Sequence, residues 1–232
     1  MIRPRGRCRN GKHKRLFKHR FLWLLGIAIF GEFFMLDLAH ALSIQAQIVE
    51  QSAEEITLQY VLSNTTRERV YAFDRLLYFD DKGVTKLDET GAYVSLDVPS
   101  TARIVRGVVK PPMYMSVSRR PPIIVSPIEP GGRLGGKITL PLPMRESSPF
   151  FPPQACDAKT AKAISKLRLQ IGWVEQRESI VVANILIEGK EMLRAVGGWE
   201  VPRQRIAQTE IAVQGLGLCS YPGRFDAAQL IE

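Results

Sequence analysis

This chain predicts a mainly β fold, an antiparallel β-sandwich, and three observations carry the prediction. Apolar residues recur at a period of two rather than 3.6, as in Glu55-Ile56-Thr57-Leu58-Gln59-Tyr60-Val61-Leu62. Such alternation marks strands with one face on a core and the other in water. Turn-forming clusters interrupt the pattern at short intervals: Asn64-Thr65-Thr66, Asp80-Asp81-Lys82-Gly83, Glu89-Thr90-Gly91 and Pro130-Gly131-Gly132. Twelve of the fifteen prolines lie between Pro99 and Pro153, so the middle of the chain consists of strand ends, edges and loops. Proline cannot donate to a sheet ladder and is confined to such places.

Residues 1–41 read as an export leader. A basic run from Arg3 to Arg20 precedes the apolar stretch Phe21 to Phe30, and Ala39-His40-Ala41 supplies a small-residue cleavage site. That order is what membrane targeting and signal-peptidase processing require. The alternative is an uncleaved N-terminal membrane anchor. Phe21 to Leu36 is shorter than the roughly 20 apolar residues of a spanning helix, and it includes Glu32. Either reading puts the basic end in the cytosol and residues 42–232 outside it. The predicted location is periplasmic or extracellular, or the inner membrane facing outward if the leader stays.

The leader also explains the charge. It holds nine Lys/Arg and two acids, a net of +7 out of +9, leaving 23 basic and 21 acidic side chains in the remainder. The basic pI therefore gives no reason to expect nucleic-acid binding. Any membrane contact would come through the leader alone. Cys8 is in the leader, so Cys156 and Cys219 are the two cysteines left, with one possible pairing in an oxidising compartment.

From residue 42 onward the elements follow in order. Ile44-Ala46-Ile48 and Ile56-Leu58-Tyr60-Leu62 read as amphipathic strands. Val70 to Phe79 is apolar on both faces, as a strand central to a sheet would be. Residues 110–122 and 141–156 read as extended connections, with a short strand at Ile123-Ile124-Val125 between them. Ile138-Leu140-Leu142, Leu167-Leu169-Ile171-Trp173 and Thr209-Ile211-Val213 alternate again, and Ile180 to Ile187 is apolar on both faces. About eight to eleven short strands result. One segment predicts a helix of two or three turns: Asp157 to Ile164, with good formers and an acid at the start where the helix dipole favours it. We expect a single domain over 42–232 with a C-terminal extension.

Enzymatic chemistry finds little support. The three histidines, His13, His19 and His40, all lie in the leader, which removes most acid/base, triad and zinc arrangements. No serine after the leader has lysine three residues on, and there is no G-x-S-x-G elbow. Without C-x-x-C or histidine, no metal or cofactor is expected. Two carboxylates could hydrolyse a glycoside; candidates are Asp74, Asp80, Asp81, Asp88, Asp97, Glu175, Glu178 and Glu200. Asp80 and Asp81 belong to a hairpin turn. Asp74, amid Tyr71, Phe73, Leu76 and Leu77, calls for a cation such as Arg75 or Arg69. The loop from Asp80 to Glu89 lacks calcium-loop spacing. Gly131 to Lys137 lacks phosphate-loop spacing, and a strand follows it.

The binding candidates are Met113, Tyr114, Met115, Arg119 and Arg120, in the stiff segment Pro111 to Pro122, together with Trp199. Met, Tyr, Trp and Arg are enriched at interfaces, and an extended segment can add to a sheet edge. A strand followed by Asn64-Thr65-Thr66 resembles exported immunoglobulin-like domains, which implies that type of sandwich. Pro121 to Gly131 resembles the strand-before-turn region of pilus chaperones over about a dozen residues. The second sandwich of that family is not evident, so none of its functional residues is carried over. The expected function is a non-enzymatic binding or assembly module with a protein partner in the cell envelope. The rival is a carboxylate hydrolase acting on envelope carbohydrate through Asp74, Asp97 or Glu175.

Overall fold

Strand pairing, more than local propensity, decides where each element begins and ends. The computed structural model describes residues 42–97, 100–109, 111, 122–151, 153, 155–176, 180–196 and 204–220. Their strands are β1 (Leu42–Gln51), β2 (Glu55–Asn64), β3 (Val70–Ala72), β4 (Leu76–Phe79), β5 (Thr85–Asp88), β6 (Tyr93–Leu96) and β7 (Thr101–Arg106). Then follow β8 (Ile123–Ile128), β9 (Arg133–Pro141), β10 (Met144–Arg145), β11 (Lys162–Glu175), β12 (Val181–Ile187), β13 (Lys190–Val196) and β14 (Arg205–Cys219). The protein is mainly β, as its alternation predicts, and its layers are sandwich-like. A three-stranded antiparallel sheet, β1-β2-β9, shares a core with a nine-stranded sheet ordered β10-β14-β11-β3-β8-β13-β12, in which β7 joins β11 and β6 joins β7. The hairpin β4-β5 stands as a small separate sheet.

The core lies where the alternation puts it. Ile56, Leu58, Tyr60 and Leu62 of β2 are essentially inaccessible and share one cluster with Leu167, Leu169 and Ile171 of β11. Each such aliphatic side chain contributes about 1.5–3 kcal/mol on leaving water. Residues 205–219 form β14, which pairs with β11 from Trp173↔Arg205 to Lys162↔Leu218 and lies between β10 and β11.

Several expectations are corrected. The larger sheet is mixed rather than purely antiparallel: β7 runs parallel to β11, and β10 parallel to β14. Parallel pairing needs a long crossover, and the chain between Arg106 and Lys162 provides it. The helix expected over residues 157–164 reduces to a 3₁₀ turn, Ala158–Thr160, capped by Asp157, whose carboxylate accepts from the Lys159 amide at 2.9 Å. Ala163 and Ile164 belong instead to β11, where pairing with Gly217 and Leu216 of β14 outweighs their helical propensity. Residues 70–79 form two strands, because Asp74 interrupts them and its carbonyl is taken by the Arg106 guanidinium. The connection over 141–156 contains β10 and the bridges Val94↔Ser147 and Ser148↔Phe151. β12, apolar on both faces, is not central; it forms the edge of its sheet.

The turns are as the sequence predicts. Asp80 accepts from the amides of Lys82 and Val84, with Gly83 at φ 72° closing the hairpin. Asn64, fully buried, uses its whole amide: it donates to the carbonyls of Glu68 and Ile128 and accepts from the Thr66 amide and hydroxyl. These bonds build the turn that follows β2. Cys156 and Cys219 form a disulfide with Cα atoms 5.9 Å apart, joining the approach to β11 to the end of β14.

Candidate functional site

The most unusual buried group is Arg106, at the end of β7, 1% exposed. Its guanidinium donates to the Tyr60 hydroxyl at 2.9 Å and to the carbonyls of Gly91, Glu89 and Lys137, each at 2.9 Å, as well as to that of Asp74. Its carbon also stands 5.7 Å from the Tyr60 ring centroid, within cation–π range. A buried cation is tolerated only when its donors are satisfied, and here the three-stranded sheet, through Tyr60 and Lys137, and two loops satisfy those of an arginine carried by the larger sheet. Glycine makes room: a Cβ on Gly136 would collide with the Tyr60 ring and hydroxyl. Burial pushes the Tyr60 hydroxyl above its usual pKa, against the pull of the Arg106 charge.

Beside this hub sits Asp74, 4% exposed, with one carboxylate oxygen lacking a hydrogen-bond partner. Arg75 approaches its other oxygen at 3.8 Å. Burial raises the Asp74 pKa, opposed by the Ser126 side chain and by the Arg75 and Arg106 charges. Of the two cations the sequence suggests for Asp74, Arg75 is the neighbour; Arg69 pairs with Glu129 at 2.6 Å.

The loops held by Arg106 border a cleft of ≈ 610 Å³ between β4, residues 91–94, the end of β9 and the stretch from Met144 to Pro153. Its walls are mostly apolar, with Leu76, Phe79, Tyr93, Leu140, Met144 and Pro149 prominent. That volume falls among ligand-binding clefts, which run to about 300–1,000 Å³. The polar points are few. Asp88 accepts from the Thr90 and Gly91 amides at 3.2 and 2.6 Å, and Ser147 Oγ accepts from the Val94 amide at 3.3 Å. Burial and the nearby Asp88 charge raise the Tyr93 hydroxyl well above its ordinary value.

Of the candidate carboxylates, Asp97 and Glu175 are held by arginines. Asp97 accepts from both Arg103 and Arg168; Arg168 also meets Glu210 at 2.8 Å, and Glu210 meets Lys166 at 2.7 Å. This ladder follows the register Arg103↔Arg168↔Glu210 across β7, β11 and β14. The two cations hold the Glu210 carboxyl below its usual range. Glu175 is engaged by Arg205 at 2.5 Å, whose guanidinium stacks 5.2 Å over Trp173. Asp80 and Asp88 serve turns. Among the described residues no group of three or more His, Cys, Asp or Glu could hold a metal ion.

Met113, Tyr114, Met115, Arg119, Arg120 and Trp199 lie outside the described residues, as do Glu178, Glu200 and the leader. No described helix is long and apolar enough to cross a membrane. Sequence reasoning missed Arg106 and the cleft. The pair Gly135-Gly136 inside a strand was the available signal, since glycine there marks a close approach of another group. Comparison with protein-family models, with curated proteins and with solved structures found no match to this chain.

Proposed function

We propose that this chain is a non-enzymatic binding module of the cell envelope, built as an immunoglobulin-like sandwich, exported and holding a protein partner through the cleft beside β4. The cleft is the observation that carries the reading: an apolar trough with few polar points, bordered by loops that a buried arginine holds in place. Export is supported by the leader pattern of residues 1–41 and agrees with the Cys156–Cys219 bridge. The rival hydrolase draws no support from Asp97 or Glu175, each committed to an arginine.

The test is site-specific photo-crosslinking in intact cells. A photoreactive residue at Tyr78, which lines the cleft and is half exposed, is compared with one at Val49 of β1. A discrete protein adduct at position 78 and none at 49 is the expected result. Identical adducts at both positions, or none at either, would remove the cleft from the binding surface.

A further inference from the structure

Among the described strands β12 is an edge, and its own sequence has nothing to discourage pairing. Val181-Val182-Ala183-Asn184-Ile185-Leu186-Ile187 contains no charge and no proline, and its register with β13 is unbroken. Exposed edges are normally blunted by lysine, proline or a bulge. The other sheet follows that rule: β9 carries Arg133, Lys137 and Pro141, and β1 carries Glu50 with a register shift between Ile48 and Glu50. Three of the six large apolar residues exposed among those described, Val181, Leu186 and Val196, lie on the β12–β13 hairpin, with Leu186 at 68%.

The direction of the free backbone groups follows from the turn. Glu188 and Gly189 both have positive φ, 50° and 79°, and connect Ile187 to Lys190 as a two-residue hairpin turn. Such turns are closed by a hydrogen-bonded pair, here Ile187↔Lys190, and pairs then alternate along the ladder. Ile185 and Ala183 therefore direct their amides and carbonyls to β13, while those of Leu186, Asn184 and Val182 point outward. The hairpin is held in place by Glu188, which accepts from Lys86 Nζ at 3.0 Å and from the Leu87 amide at 3.2 Å, and by Lys190, which meets Glu89 at 2.7 Å.

We propose that β12 is the site at which a second copy of this chain adds, antiparallel, with Asn184 on the two-fold axis. The occupant is argued from the strand's own chemistry, which is self-complementary about Asn184. In that register Leu186 faces Val182 of the second copy, Ala183 faces Ile185 and Val181 faces Ile187, so every pair is apolar except the central Asn184–Asn184. No like charges meet within the strand. The outward groups of residues 182, 184 and 186 are the ones that exchange hydrogen bonds, so the ladder and the side chains agree on one register. An isologous contact of this kind closes as a dimer and does not propagate. The interface is separate from the cleft and stands without the function proposed above.

The experiment uses protein isolated from cells expressing the full chain. Sedimentation velocity across a dilution series should show a monomer–dimer equilibrium. Leu186→Lys, at a site exposed in the monomer, should weaken dimerisation by at least ~10-fold because the contact occurs twice, with circular dichroism unchanged and thermal melting unchanged at dilutions where both proteins are monomeric. Asn184→Cys should give a covalent dimer under mild oxidation, since directly opposed Cα atoms in such a pair are about 5.5 Å apart, within disulfide reach. Val181→Cys should not, because its two copies would be about 20 Å apart. A wild-type monomer at every concentration overturns the proposal. So does a dimer indifferent to Leu186→Lys, or one that the Asn184→Cys variant fails to cross-link.

Discussion

Arg106→Met tests the energetics of the centre most directly. Methionine nearly preserves the length and removes every donor and the charge. Four carbonyls, those of Asp74, Glu89, Gly91 and Lys137, and the Tyr60 hydroxyl then lose a partner. A stranded buried acceptor costs about 1–3 kcal/mol. Against this, the mutant no longer desolvates a guanidinium, which offsets much of the sum. Five neutral acceptors at that cost, less the guanidinium desolvation recovered, leave a net loss of about 3–5 kcal/mol. At about 2–4 °C per kcal/mol for a chain of this size, the melting temperature should fall by about 10 °C. Urea unfolding followed by tryptophan fluorescence is the assay, and a lower midpoint with an unchanged slope reports stability alone. Arg106→Lys keeps the charge but offers three donors instead of five and should lose about 2 kcal/mol. If Arg106→Met unfolded within about 1 kcal/mol of wild type, the guanidinium would not be what holds the two sheets and the cleft loops together.

The other predictions concern single features. Gly136→Ala should cost about 2 kcal/mol or more, because the new Cβ overpacks against a Tyr60 ring that Arg106 immobilises, whereas Gly135→Ala, whose nearest neighbour is 3.7 Å away, should be nearly silent in the same urea assay. Replacing Cys156 and Cys219 together by serine, or reducing the bridge, should cost about 4 kcal/mol in the chain-entropy model for a sequence separation of 63; denaturation with and without reductant reads it. Asp74 titrates above its ordinary value in the folded state, so the fold binds more protons than the unfolded chain, and this residue's contribution declines as pH rises from the unfolded to the folded pKa. Asp74→Asn should therefore gain on wild type as pH rises through that window, and a constant difference between pH 3 and pH 7 would contradict the assignment of that shift to burial.

The fold was legible wherever a strand had one wet face. Ile56, Leu58, Tyr60 and Leu62 announce the core because their neighbours are polar, and Leu167, Leu169 and Ile171 do the same on the facing sheet. Two-sided apolar runs misled. Residues 70–79 and 180–187 look alike in composition, yet one run is split by Asp74 and the other is an edge. Composition cannot separate a strand covered by neighbours from one that leaves a side free. The 3₁₀ turn at Ala158–Thr160 shows propensity yielding to a partner strand more than fifty residues away. Arg106 was illegible because its acceptors are mainly backbone carbonyls, which leave no mark in side-chain identity.

The position of β14 has a consequence for how this protein is made. The most C-terminal described strand occupies an inner place in its sheet, and Cys219 at its end is covalently tied to Cys156. Until that stretch emerges, β11 has one flank bare, and the sandwich layers cannot close over Leu169 and Ile171. If the chain is exported as proposed, it would thus stay loose and transportable for nearly its whole passage, locking only as its tail arrives.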